Sequence, residues 1–107
     1  MRRGAIVTAA LVGDYGKPRP VLVIQAELFD SHPSVTVLPI SSTLVDAPVC
    51  RILLEPDAEN GLRKISQIMV DKAATIPRHR VGREIGYAGD DCMVRVTRAL
   101  TVWFGIA

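Results

Sequence analysis

The sequence predicts an α+β or mainly β domain: five or six short strands followed by one amphipathic helix, in a small-barrel arrangement. Two observations carry this. Strand-length apolar runs, separated by glycine and proline, fill the chain up to residue 76. A three- and four-residue apolar spacing then marks the last element. Length sets the scale. The 107 residues, 49% apolar and 22% charged, are those of one ordinary globular domain over residues 1–107. That balance excludes a disordered tail, a collagen-like chain and a coiled coil. No apolar run approaches the ~20 residues of a membrane span. The opening MRRG is followed by no long apolar segment, so no signal peptide is expected and the protein is read as cytoplasmic. Cys50 and Cys92 form neither a disulfide framework nor a metal spacing, and they read as buried free thiols. The only aromatics are Tyr15, Phe29, Tyr87, Trp103 and Phe104, so a second copy is expected to complete the core or its seam.

The elements follow in order. Residues 5–12 are small and β-branched, a first strand. Residues 13–20 hold two glycines and two prolines and read as a loop. Residues 21–24 are a continuous apolar run, a strand buried on both faces. Residues 26–34 are a polar connection with room for one helical turn. Residues 35–40 form a third strand, and Pro39, which cannot donate to a ladder, predicts that it stops pairing there or lies at an edge. Residues 49–54 form a fourth strand. Residues 57–64, centred on Asn60-Gly61, predict a hairpin-like reversal. Residues 65–76 read as a long strand with a break, placing Asp71 inside it, and Pro77 ends it. Residues 78–88 are basic and irregular. Asp90 is the expected N-cap of the final helix. Met93, Val96, Leu100 and Trp103 form its apolar stripe, and Gly105 closes it.

Charge is unevenly distributed. Residues 1–19 carry Arg2, Arg3, Lys17 and Arg19 against Asp14. Residues 24–62 carry only Arg51 against Glu27, Asp30, Asp46, Glu55, Asp57 and Glu59. Residues 63–83 carry Arg63, Lys64, Lys72, Arg78, Arg80 and Arg83 against Asp71. Two basic segments flank an acidic one. If the fold joins them they make a polyanion patch; if not, they form a mixed solvated surface.

Few residues carry obvious chemistry. Pro18 and Pro20 pin Arg19 in an extended backbone, and a held guanidinium suits a phosphate. The alternative is an ordinary surface arginine. Ser41, Ser42 and Thr43 follow a strand and offer hydroxyls to a phosphate, or simply make a local turn or cap. Asp71 either faces outward or is held by a basic partner. His79, between Arg78 and Arg80, faces solvent or phosphate, and His32 is a bystander. The chain has no GxSxG, Walker loop, CxxC or HExxH, so a serine hydrolase, an NTPase and a zinc enzyme are unsupported.

Taken in order, several segments resemble a known family. Arg3-Gly4 leads the first strand, Arg19-Pro20-Val21-Leu22-Val23-Ile24 the second, and Pro39-Ile40-Ser41-Ser42 closes the third. Gly61-Leu62, Val70-Asp71, Thr75-Ile76, Ile85-Gly86, Asp90-Asp91, Met93 and Arg98-Ala99-Leu100 follow. This order resembles the MazF/PemK (Kid) toxins of bacterial type II toxin–antitoxin systems over nearly the whole chain. The resemblance implies a small SH3-like barrel of the CcdB/PemK type with a C-terminal helix, assembled as a homodimer. It implies a growth-inhibiting endoribonuclease that needs no metal or other cofactor and cuts single-stranded RNA at short sequences. In that family the ribose 2′-hydroxyl attacks the adjacent phosphate, leaving a cyclic phosphate and a free 5′-hydroxyl. A cognate antitoxin is the implied protein partner.

By the same resemblance the catalytic set is Arg19, Ser41 and Asp71. Arg19 matches the family's loop arginine, Ser41 stands where many members have threonine, and Asp71 matches a late-strand aspartate that orients an arginine or a base. Lys17, Ser42, Thr43, Lys72, Arg78, His79 and Arg80 are the expected RNA contacts. The chain departs from the pattern at Met69 and Ala74, where family arginines stand, and at Lys72, where many members have glutamine. Lys72, Arg78 and Arg80 are the substitutes for that charge. Two other readings stay open. The ending Trp103-Phe104-Gly105-Ile106-Ala107 is similar to that of CcdB, which poisons DNA gyrase through its C-terminus; Trp103, Phe104 and Ile106 are then either gyrase contacts or anchors of the core or a dimer seam. The third reading is a catalytically degenerate module that only binds an antitoxin.

Overall fold

The computed structural model describes the chain except for residues 12, 14, 15 and 107. Among the described residues seven strands precede one helix: β1 (Ala5–Ala10), β2 (Pro18–Val23), β3 (Ser34–Ser41), β4 (Arg51–Leu54), β5 (Ser66–Met69), β6 (Ala74–Pro77), β7 (Val81–Tyr87) and α1 (Asp90–Trp103). All ladders are antiparallel, in the order β4-β5-β3-β2-β1-β7, with β6 also on β3. The two ends of this path, β4 and β7, share no ladder, so the barrel is not closed by strand hydrogen bonds.

Strand alternation divides the interior. Ile6, Leu22 and Leu38 stand opposite one another in neighbouring strands and join Ile68, Val70 and Val96 in one core cluster. Val7, Val21, Val23, Val35 and Val37 point the other way into a second. This explains the unbroken apolar run at 21–23: both faces of β2 are buried.

Several elements depart from the sequence reading. β2 begins at Pro18, so Arg19 lies on a strand, paired with Ala9, rather than in the loop. Both prolines fit because the missing donors fall near the start of the strand. Pro39 is buried in the centre of the sheet, opposite Val21, and not at an edge. Its missing N–H is tolerated because β3 changes partners there: residues 34–37 pair with β6, and residues 40–41 with β5. The break in the long strand is a 3₁₀ turn over Val70–Lys72, so Asp71 is on that turn and not within a strand. The expected helical turn in the 26–34 connection is a 3₁₀ turn over Glu27–Phe29.

The segment expected to be irregular is the strand β7, preceded by a 3₁₀ turn over Arg78–Arg80. Its register with β1 shifts twice, which hid the alternation. Tyr87 therefore lies in a strand, with Arg2 over its ring at 3.8 Å and its hydroxyl donating to Glu84 at 2.9 Å. Tyr15, the other aromatic expected in a loop, lies outside the described residues.

In α1, Cys92 and Val96 are buried, and Met93, Ala99 and Leu100 pack against the first cluster. The N-cap is Gly89, one residue before the expected Asp90, whose charge instead sits in the first turn. The Ile106 N–H bonds to the Thr101 carbonyl at 2.8 Å, and Gly105 has φ +71°, a left-handed end. The stripe holds for its first three members only. Trp103 is 50% exposed, Phe104 56% and Ile106 78%, so these side chains do not close the core of this chain. Cys92 is buried as expected, whereas Cys50 is only partly covered.

Candidate functional site: a cationic groove

An open groove of about 730 Å³ crosses the surface of the barrel. It is lined by the ends of β2 and β3, by the β4–β5 loop, and by the segment from β5 to the turn before β7. Five cations reach it: Arg19, Arg63, Lys64, Lys72 and Arg80. Among the described residues no aspartate, glutamate or histidine shares the lining. The fold thus joins the two basic segments and keeps the carboxylates of the acidic one out of the lining. Cations gathered with no compensating carboxylate raise the local potential for an anion.

Each wall is held from behind. Ser41 ends β3, Ser42 and Thr43 follow it into the groove, and the Thr43 N–H donates to Ser41 Oγ at 3.1 Å. The segment beyond them is anchored by the buried Gln67, whose amide accepts from Val45 N–H at 2.9 Å and donates to the Val45 carbonyl at 2.8 Å. Met69, just before the 3₁₀ turn, and Lys72, its last residue, line the groove, and the Val70 N–H bonds to the Cys50 carbonyl at 2.9 Å.

Asp71, on that turn, is not part of the lining. Arg51 grips it from β4: Nε donates to Oδ1 at 2.9 Å and Nη2 to Oδ2 at 3.3 Å. Those hydrogen bonds hold the Asp71 carboxyl below its ordinary range, against a smaller opposing effect of burial. Asp71 is thus a carboxylate held by a basic partner, Arg51.

The other expected RNA contacts divide. Lys72, Arg80, Ser42 and Thr43 reach the groove. Lys17 and His79 are exposed but do not line it. Arg78 does not line it either; it donates through Nε to the His32 carbonyl at 2.8 Å and stands 3.7 Å from Asp30. Asp30 also takes the N-terminal amine, and these partners lower its pKa, the amine foremost. Arg63 and Lys64 were visible in the sequence only as part of a basic segment; their loop position gave no reason to place them beside Arg19. Among the described residues, no group of three His, Cys, Asp or Glu side chains is arranged to hold a metal ion. No helix in the described residues is long and apolar enough to cross a membrane.

Fold and groove together define a small open-barrel domain with a C-terminal helix and a cationic cleft. Residues 2–104 match the family described as PemK-like, MazF-like toxin of type II toxin–antitoxin system, and the chain belongs to that family. It is 49% identical over 108 residues to a probable endoribonuclease MazF of Mycolicibacterium smegmatis, covering 100% of this chain and 99% of the relative. It is 37% identical over 81 residues to endoribonuclease MazF3 of Mycobacterium tuberculosis, covering 71% and 72% of the two chains. Among solved structures, the Mycobacterium tuberculosis toxin MazF-mt6 superposes with a TM-score of 0.81 at 31% identity, over 94% of this chain and 96% of that one. The resemblance read from the sequence is therefore the family to which the chain belongs, and its homologues carry the name of an enzyme, an endoribonuclease.

Proposed function

We propose that this toxin cuts single-stranded RNA at short specific sequences in its cationic groove, without a metal ion. The 2′-oxygen of the ribose bonds to the adjacent phosphorus, and the bond from phosphorus to the 5′-oxygen breaks. The 2′-hydroxyl gives up its proton and the leaving 5′-oxygen gains one, so the products are a 2′,3′-cyclic phosphate and a 5′-hydroxyl. The observation that carries this reading is the convergence of five cations and the hydroxyl segment Ser41–Thr43 on one groove, with no carboxylate among the described lining residues.

The phosphate gains negative charge on its non-bridging oxygens as the new bond forms, so fixed cations stabilise the transition state more than the ground state. Arg19 is the residue assigned to this task and to proton donation toward the leaving oxygen. Ser41 hydrogen-bonds the same phosphate. Asp71 acts through Arg51, as a positioning residue that keeps the Lys72 turn in place. Lys72 and Arg80, with Ser42 and Thr43, hold the flanking strand. Lys17 and His79 lie beyond the groove, where a longer RNA would meet them.

The toxin acts as a homodimer in the cytoplasm, and a cognate antitoxin covers the groove. Membership of a toxin–antitoxin family supports the antitoxin. The exposed Trp103, Phe104 and Ile106 support the homodimer, because apolar side chains grouped at one helix end mark a contact surface. Family membership also favours this use of the C-terminus over a gyrase contact.

The test is end chemistry. Purified protein incubated with a long single-stranded RNA in EDTA is expected to give discrete fragments with 5′-hydroxyl and cyclic-phosphate ends. Fragments with 5′-phosphate ends, or intact RNA with inhibited DNA supercoiling, overturn the proposal.

A further inference from the structure

Arg63 and Lys64, two cations of the groove not expected from the sequence, sit on the loop that bridges the open side of the barrel. This loop, residues 55–65, joins β4 to β5 and lies across β7, the two ends of the sheet path that share no ladder. Its docking is tight. The Tyr87 N–H bonds to the Glu59 carbonyl at 2.8 Å. A Cβ at Gly61 would collide with the Ile85 carbonyl oxygen, and one at Gly86 with the backbone of Glu59 and Asn60. Gly61 also has φ +70°, so a side chain there is excluded by both backbone conformation and space.

At the centre of the loop is Asn60, fully buried and fully satisfied. Its Oδ1 accepts from the Asp57 N–H at 3.2 Å and the Leu62 N–H at 3.0 Å, and its Nδ2 donates to the Glu55 carbonyl at 2.7 Å. Asp57 Oδ1 caps the same turn, accepting from the Glu59 and Asn60 N–H groups at 2.8 and 2.7 Å. Ser66 Oγ then fixes the exit, donating to the Lys64 carbonyl at 2.9 Å. Surface loops of this length are usually mobile. This one is tied at both ends and in the middle, and of its charged side chains only Arg63 and Lys64 line the groove, while Glu55 and Asp57 line a separate concavity.

We propose that Arg63 and Lys64 form a second phosphate subsite, for a backbone phosphate flanking the one held by Arg19, and that Asn60 is the positioning residue that pre-orders it. This rests on the single-stranded RNA reading above. A cation on a free loop loses conformational entropy when it engages a phosphate; a cation on a latched loop has lost most of it on folding.

The test uses a fluorescein-labelled 2′-O-methyl RNA of mixed sequence, which binds without being cut because its 2′-oxygens carry no proton. Affinity is measured by anisotropy across a salt series. Arg63→Ala/Lys64→Ala is expected to weaken binding about tenfold near physiological salt and to flatten the plot of log affinity against log salt by about 0.7, the value for one lost phosphate contact on a single strand. Asn60→Ala is expected to weaken binding and to flatten the slope in the same direction. Val96→Ala, a core change in α1 away from the groove, is expected to lower the melting temperature and leave the slope unchanged. Should Asn60→Ala not fold, hydrogen exchange on the wild-type protein decides: the Glu59, Asn60 and Leu62 amides are expected to be protected without RNA, and rapid exchange there refutes the latch. Wild-type binding that Arg63→Ala/Lys64→Ala leaves unchanged overturns the subsite alone. Failure of the wild-type protein to bind the RNA at all overturns the underlying single-stranded RNA reading.

Discussion

Arg51 and Asp71, twenty residues apart in the chain, meet in a two-pronged ion pair that ties the first residue of β4 to the 3₁₀ turn carrying Lys72. Both side chains are mostly covered, at 14% and 20% exposure, so the pair is more than a screened surface contact. Asp71→Ala strips Arg51 of its partner and is expected to cost about 1.5–3 kcal/mol, the range for a hydrogen bond to a charged group. The effect depends on pH in a defined direction. The folded-state pKa of Asp71 is depressed, so its stabilisation is complete above the unfolded value of about 3.9 and disappears as pH falls through the lower folded value. Melting curves of both proteins from about pH 7 to pH 2 are expected to converge at the acid end. A gap that persists there assigns the loss to packing.

Gln67 gives a second prediction. Its side chain imitates a strand partner for Val45, just beyond the hydroxyl segment. Gln67→Leu keeps the volume but leaves the Val45 N–H and carbonyl without that partner. The expected cost is about 1–3 kcal/mol in urea unfolding. Cleavage is expected to fall as well, because Ser41 is no longer held at a fixed depth.

The end of α1 tests the assembly. Trp103→Glu/Phe104→Glu places charge on side chains that are about half exposed in the single chain, so the fold should survive. Light scattering is expected to show the wild-type protein at twice the chain mass and the variant at the chain mass. A wild-type monomer removes the homodimer from the account.

Much of this was legible in the sequence, and what was not has identifiable causes. The helix could be read from Met93, Val96 and Leu100 because a buried helix stripe repeats within a few residues. The reversal at Asn60-Gly61 was legible for the same local reason. Strand β7 was missed because Gly82 and Gly86 interrupt its apolar pattern, and those glycines answer to neighbours distant in sequence, Thr8 and Asn60. Pro39 looked like an edge residue because a sequence cannot show that β3 exchanges β6 for β5 beside it. At the site, Arg19 was legible from its flanking prolines and family segment. Arg63 and Lys64 were not, since their approach to Arg19 is created by a loop crossing an open barrel. The partner of Asp71 was equally hidden, because Arg51 lies in another strand and the acidic segment around it masks its charge.

The account stands most directly on Arg19. Its side chain is exposed on β2, so Arg19→Ala should melt near the wild-type temperature. Under single-turnover conditions on one RNA, with all ends mapped, the wild-type protein is expected to cut at discrete positions. Arg19→Ala is expected to cut the same positions about 10²–10³-fold more slowly, the typical loss when one transition-state charge stabiliser is removed. A folded Arg19→Ala protein that cleaves at the wild-type rate would contradict the assignment of the groove as the catalytic site.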